Sequence, residues 1–145
     1  MRALASAAMA RVLIIDRAGR ADAAAAALEA AGYAVRSVEA NPLLPGHVFE
    51  ELENVAVVAW LRGVGDVPHE QANGEQLETV LLKVVDTGVR GFVFERSAPG
   101  EVNAHVEHAR ETWHIRIAEL DHADPAGGPE WTAALVAAVN DSLGI

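Results

Sequence analysis

The feature that most constrains the fold of this chain is a regular alternation of short apolar runs with segments of helical periodicity. Residues 55–61 read VAVVAWL, the continuous apolar pattern of a strand buried on both faces. Residues 70–87 follow, with apolar side chains at the spacing of an amphipathic helix. The members of this apolar stripe are Leu77, Val80, Leu81, Val84 and Val85.

The same alternation extends along the whole chain. Strands are predicted at Arg11–Asp16, Tyr33–Val38, Val55–Leu61, Arg90–Glu95 and Ile115–Leu120. Helices are predicted at Arg20–Ala31, Glu70–Thr87, from Pro99 to Trp113 and at Pro129–Leu143, with a short helical turn at Val48–Leu52. Gly32 and Gly144 stand where helix C-caps are expected.

Strands joined by helices favour right-handed crossovers and a parallel sheet covered on both faces. The prediction is a three-layer α/β, Rossmann-like fold with five parallel strands. The order 2-1-3-4-5 and a shortened Rossmann order both satisfy the pattern, and we predict the former. We expect residues 1–145 to form one domain, in which residues 1–10 are a frayed start or Met1 is an upstream start codon before Met9.

Composition excludes several classes of function. The chain contains no cysteine, which excludes thiol catalysis and zinc–thiolate sites. Its formal net charge of −10 opposes binding to nucleic acid or to anionic membranes. No apolar run reaches the roughly 20 residues of a transmembrane helix, and residues 1–10 do not resemble a signal peptide. We therefore expect a cytoplasmic protein.

Residues 54–97 carry a resemblance to a known family. The stretches NVAVVAWLRG and EQANGEQLETVLLKVVDTGVRGFVFERSA, followed later by VEHARETWHIRIAEL, resemble atypical and extended short-chain dehydrogenases/reductases, including the NmrA-like and NAD-epimerase-like groups. The resemblance covers most of the chain. It implies a Rossmann-like NAD(P)-binding domain and a homodimer in which the helices at Glu70–Thr87 and Pro99–Trp113 pair across a twofold axis.

The turn after the first strand corresponds to the phosphate-binding turn of that family, where glycines let the backbone approach a pyrophosphate. Here Asp16, Arg17, Gly19 and Arg20 occupy it, and only one glycine remains. Asp16 places a carboxylate close to where phosphates would lie, which is unfavourable by about a kcal/mol or more. Arg17 and Arg20 would offset it in a rearranged phosphate site. A filled or remodelled pocket is the alternative, and we favour it.

Further candidate cofactor-binding residues lie near strand ends. Glu39 follows the second strand, where an acidic residue of NAD-binding folds bonds the ribose. Trp60 and Arg62 lie at the end of the third strand, and Ser97 follows the fourth. Residues at the carboxyl ends of the strands are expected to line one crevice over the sheet. They are Asp16, Trp60, Arg62, Glu95, Arg96 and Asp121. A solvated carboxylate is the plainer interpretation for Glu39, and a cap or turn residue for Ser97. Buried or ion-paired residues without a ligand are the alternative for the crevice.

Catalytic residues of the usual reductase design are missing. That design requires a Tyr-x-x-x-Lys pair on the helix after the serine-bearing strand, whereas Tyr33 is the only tyrosine and Lys83 the only lysine. We predict a non-enzymatic ligand-binding or regulatory module. The alternatives are an atypical NAD(P)H-binding reductase or epimerase relative and a structural or oligomeric protein with no ligand.

Two smaller hypotheses concern the later helices. His105 and His108 are three residues apart on a predicted helix, a spacing compatible with a metal site, although surface histidines are commoner. Trp113 and Trp131 are predicted to pack in the core, with a dimer face as the alternative.

Overall fold

A computed structural model describes residues 10–16, 21–39, 52–61, 70–96, 103–121 and 128–144, with only the backbone described for Glu39 and for residues 70–76. Several predicted features lie outside these residues. They are residues 1–9, the helical turn at 48–51, Pro99, and the candidate site residues Arg17, Gly19, Arg20, Arg62 and Ser97.

The described residues form five strands and four helices, and a described helix follows every strand except β2. The strands are β1 (Arg11–Asp16), β2 (Ala34–Glu39), β3 (Val57–Leu61), β4 (Gly91–Arg96) and β5 (Arg116–Asp121). The helices are α1 (Ala21–Ala30), α2 (Glu70–Asp86), α3 (Ala104–Thr112) and α4 (Pro129–Leu143).

The five strands pair in parallel in the order β2-β1-β3-β4-β5. This confirms the predicted α/β fold and the predicted strand order. Every described residue of β3 is buried, in agreement with its uninterrupted apolar sequence.

The sheet separates two apolar cores. One core lies under α1 and α4 and includes Leu28, Leu61 and Trp131. The other lies under α2 and α3 and includes Trp60 and Phe92. Alternate residues of each strand point to opposite faces, so the position of a residue in its strand decides which core it enters.

The helices differ from the prediction in three details. Val85 is 45% exposed, so the apolar stripe of α2 is narrower than predicted and ends at Val84. Helix α3 begins at Ala104 rather than near Pro99, because Asn103 caps it: its side-chain oxygen accepts the N–H groups of His105 at 2.9 Å and Val106 at 3.2 Å. Trp113 is only partly buried, whereas Trp131 is a core residue, as predicted.

Candidate functional site

The order of the strands defines one position where a ligand is expected. The chain leaves β1 toward β2 on one side, whereas β3, β4 and β5 lie on the other side of β1. The carboxyl ends of β1 and β3 are therefore a topological switch point, the place where open α/β sheets bind ligands. Asp16 ends β1 there and is in register with Leu61, the last residue of β3.

Asp16 is fixed inside this switch point by the helix that follows it. The side chain is 2% exposed, and its Oδ2 accepts the backbone N–H of Ala21 at 3.0 Å. Ala21 is the first residue of α1, and the N–H groups at a helix start have no partner within the helix and carry partial positive charge. A phosphate would use these same groups in a nucleotide-binding turn. In this chain a carboxylate of the protein occupies one of them.

Glu39 ends β2 beside Asp16, with which it is in register. The backbone thus places Glu39 at the carboxyl end of β2, one strand away from Asp16. Its side chain lies outside the described part of the structure, so a contact with a ribose stays a prediction.

Glu95 is a second buried carboxylate on the same side of the sheet as Asp16. It is fully buried, and its Oε2 accepts the indole N–H of Trp131 at 3.0 Å. Trp131 lies in the first turn of α4, so this acid also sits near a helix start. Two strand spacings separate Glu95 from Asp16, which corresponds to about 10 Å. The sequence indicated the strand-end position of Glu95 but carried no signal for its partner, which is 36 residues away.

Trp60 faces the opposite core. The side chain is fully buried with the α2 and α3 residues, in the row next to Ile15 and Phe94. Its indole N–H has no hydrogen-bond partner in the described structure. Leaving such a donor unpaired costs about 1–3 kcal/mol. Trp60 and Asp16 therefore lie on different faces of the sheet, and the two residues are not brought together in one rim.

At the carboxyl ends of β4 and β5, the side chain of Arg96 forms an ion pair with Asp121. Arg96 and Asp121 end β4 and β5 in register. Nε of Arg96 lies 2.6 Å from Oδ1 of Asp121, and Nη2 of Arg96 lies 2.5 Å from the same oxygen. The guanidinium of Arg96 is therefore already engaged by a carboxylate.

Tyr33 and Lys83 do not form a catalytic pair. The Tyr33 hydroxyl donates to Oδ1 of Asn140 on α4, and burial raises the pKa of the phenol above its usual value. Lys83 lies on the exposed side of α2, across the sheet from Tyr33. The two side chains thus belong to different layers of the fold.

The two histidines of α3 contact different partners. Nδ1 of His105 lies 3.2 Å from Glu78 on α2, whereas His108 contacts Thr112 and packs edge-on against Trp113. The described residues contain no group of three or more His, Asp or Glu side chains that could hold a metal ion.

No model of a known protein family matches this chain, and no curated protein sequence matches it significantly. The resemblance to atypical short-chain dehydrogenases/reductases thus rests on the quoted sequence stretches alone. Among the described helices, none is long and apolar enough to cross a membrane.

Proposed function

We propose that this chain is a non-enzymatic binding or regulatory module on a Rossmann-like sheet, related to the NAD(P)-binding short-chain dehydrogenase/reductase family. The observation that carries the proposal is the hydrogen bond from the Ala21 N–H to the Asp16 carboxylate. The position that would hold a phosphate in a dinucleotide-binding fold already holds an acid of the chain itself.

Electrostatics supports this interpretation. A phosphate approaching the start of α1 would meet the carboxylate of Asp16 and that of Asp22 in the first helical turn. Like charges at such short range repel, and burial of Asp16 weakens solvent screening. Tight binding of a pyrophosphate would therefore require Asp16 to leave its place at the helix start.

The residues available for chemistry point the same way. The only tyrosine, Tyr33, is buried against α4, and the only lysine, Lys83, lies on α2. A reductase of the usual design uses these two residue types together to move a proton to or from the substrate. We infer that the chain binds rather than converts its ligand.

The rival proposal is an atypical reductase or epimerase relative that binds NAD(P)H through Arg17, Gly19 and Arg20. The switch point between β1 and β3 is the observation that favours it, since nucleotides bind at such positions. Fluorescence titration with NADH and NADPH separates the two proposals. We expect no saturable signal in the micromolar range. Micromolar binding that disappears in Arg20→Ala would favour the rival.

We also propose that the chain forms a homodimer through α2. Leu82 and Val85 are the large apolar side chains of this helix that remain exposed, at 46% and 45%. They are three residues apart and therefore share one face of the helix. Light scattering should give the mass of a dimer, and Leu82→Glu should shift it toward that of a monomer. A monomeric mass for the unmodified chain would contradict this proposal.

A further inference from the structure

An open groove lies along the outer edge of the sheet, between β5 and α4. Its volume is about 560 Å³, which is within the range of binding clefts. It is lined by Ala118 and Leu120 of β5 and, on the α4 side, by the buried Trp131 and by Ala134 and Ala138. β5 is at the end of the sheet, two strands away from the switch point at β1 and β3. The groove therefore lies away from the β1–β3 switch point, and Asp121 and Trp131 are the residues of its lining that were also described with the candidate site.

The rim of the groove is acidic. Its four carboxylates belong to Glu119, Asp121, Glu130 and Asp141. Arg110 lies 3.5 Å from Glu119, and Arg96 lies 2.5 Å from Asp121. In contrast, Glu130 and Asp141 are exposed and form no ion pair with any residue in the described part of the chain. Two carboxylates on the α4 side therefore have no ion-pair partner among the described residues, and the nearest described cation at the Asp141 end is the guanidinium of Arg116 beside Gly144.

We propose that this groove docks a cationic amphipathic helix of a partner protein. Glu130 and Asp141 lie eleven positions apart on α4, about 16 Å along the helix axis. The alanines of the groove lie between them, and their small side chains let a second helix approach to the usual interaxial distance of about 8–10 Å. Apolar residues of the partner would contact the alanines, while basic residues near its two ends would reach the two acids.

A helix fits this groove better than an added strand. Nη2 of Arg110 donates to the carbonyl oxygen of Ile117 at 3.0 Å, so a backbone acceptor of the edge strand β5 is already in use. The same guanidinium binds Glu107 through Nη1 at 3.1–3.2 Å, which holds it in place. A strand that extends the sheet at β5 would compete with Arg110 for this edge.

Charge complementarity selects a different protein over a second copy of this chain. In a twofold dimer through the groove, the same acidic rim would be present on both sides of the interface. Pairing two such rims brings like charges together, which is unfavourable. The basic side chains of a partner helix would instead pair with the carboxylates of the rim. The net charge of −10 would increase the rate at which such a helix associates. The proposal goes beyond the function proposed above and does not depend on ligand binding at the switch point.

The test uses the full chain and a synthetic peptide of about 16 residues, enough for a helix of roughly 24 Å. The peptide consists of Leu and Ala with Lys near both ends, and a matched peptide has Glu in place of Lys. Binding is measured by calorimetry, and the site is mapped by amide chemical shifts of the labelled protein. Glu130→Gln/Asp141→Asn is the test variant. Glu29→Gln/Glu53→Gln, two exposed acids outside the groove lining, is the matched control.

We expect the Lys peptide to bind and the Glu peptide not to bind. Shift changes should concentrate on β5 and α4, and Glu130→Gln/Asp141→Asn should weaken binding by about threefold or more while the control stays unchanged. Equal weakening in the control, shift changes centred elsewhere, or no binding of the Lys peptide would overturn the proposal. These outcomes do not involve NADH or NADPH, so they are distinguishable from failure of the proposed function.

Discussion

The indole N–H of Trp131 donates to the carboxylate of Glu95 at 3.0 Å, and both side chains are buried. The bond links the first turn of α4 to the carboxyl end of β4. Buried acids are costly unless they are hydrogen-bonded, so this contact is one of the interactions that stabilise Glu95 in the core. It also fixes where α4 begins to pack on the sheet.

Trp131→Phe should therefore destabilise the fold. The substitution keeps an aromatic ring but removes one hydrogen-bond donor to a buried acid, which should lower the free energy of unfolding by about 2 kcal/mol. Urea denaturation followed by circular dichroism measures the change. Trp113→Phe is the control, because Trp113 is only partly buried, and its loss should be clearly smaller. Equal losses in the two variants would contradict a specific role for the Glu95 contact.

Asp16 is expected to stabilise the start of α1 through its oxygen atom. Asp16→Ala removes the acceptor for the Ala21 N–H and should cost about 0.5–2 kcal/mol, the usual effect of losing a helix cap. Asp16→Asn keeps a side-chain oxygen and should cost less. Both free energies of unfolding can be measured in urea. An Asn variant no more stable than the Ala variant would argue against this hydrogen bond.

Gly91 should tolerate no side chain, because β4 passes close to the end of α4. A Cβ at Gly91 would lie 2.6 Å from both the backbone oxygen and Oγ of Ser142. Gly91→Ala should lower the free energy of unfolding by about 1–3 kcal/mol, as overpacking does. Gly88→Ala is the matched control, since a Cβ there meets no atom within 4 Å. We expect it to leave stability unchanged or slightly higher, and similar losses at both positions would refute the packing argument.

Tyr33 predicts a loss of stability at alkaline pH. Burial raises the pKa of its phenol above the ordinary value of 10.0, so the folded state keeps the proton longer than the unfolded state does. The contribution of the protonated phenol to the free energy of unfolding is fully present below about pH 10. It is lost as the pH rises through the raised pKa. Unfolding free energies between pH 8 and pH 11 should show this decline.

Tyr33→Phe provides the comparison for that pH series. The variant should lose about 1 kcal/mol at neutral pH, because the bond to Asn140 is gone. Its stability should then fall less steeply above pH 10. The chain has one tyrosine and one lysine, which limits other contributions in this range. Parallel curves for the two proteins would exclude Tyr33 as the source of the decline.

The order of the sheet could be predicted because each strand carries a local signal and connections in α/β folds follow strong rules. VAVVAWL at residues 55–61 indicated a buried central strand, and the structure has β3 at Val57–Leu61. Helix ends were predicted less well. Pro99 suggested the start of α3, but the side chain of Asn103 caps that helix four residues later. Proline is common in the first turn of helices, but its presence does not indicate which later side chain accepts the first backbone N–H groups.

Less of the candidate site could be predicted. Asp16 lies at the predicted strand end, because the residue directly follows an apolar run. The Glu95–Trp131 bond joins residues 36 positions apart, so no local pattern indicates it. Trp60 was expected to wall the same crevice as Asp16. Whether a strand residue faces one core or the other depends on its register, and Trp60 faces the core under α2 and α3.

The most direct test of the account is the thermal stability of the purified chain in the presence of NADPH. A cofactor present at 100 times its dissociation constant would stabilise the fold by about 2.7 kcal/mol, an easily measured rise in Tm. Because Asp16 occupies the start of α1, we predict no rise in Tm at about 1 mM NADPH, which is 100 times a dissociation constant of about 10 µM. A clear rise that Arg20→Ala abolishes would contradict the account and identify the turn after β1 as a working phosphate site.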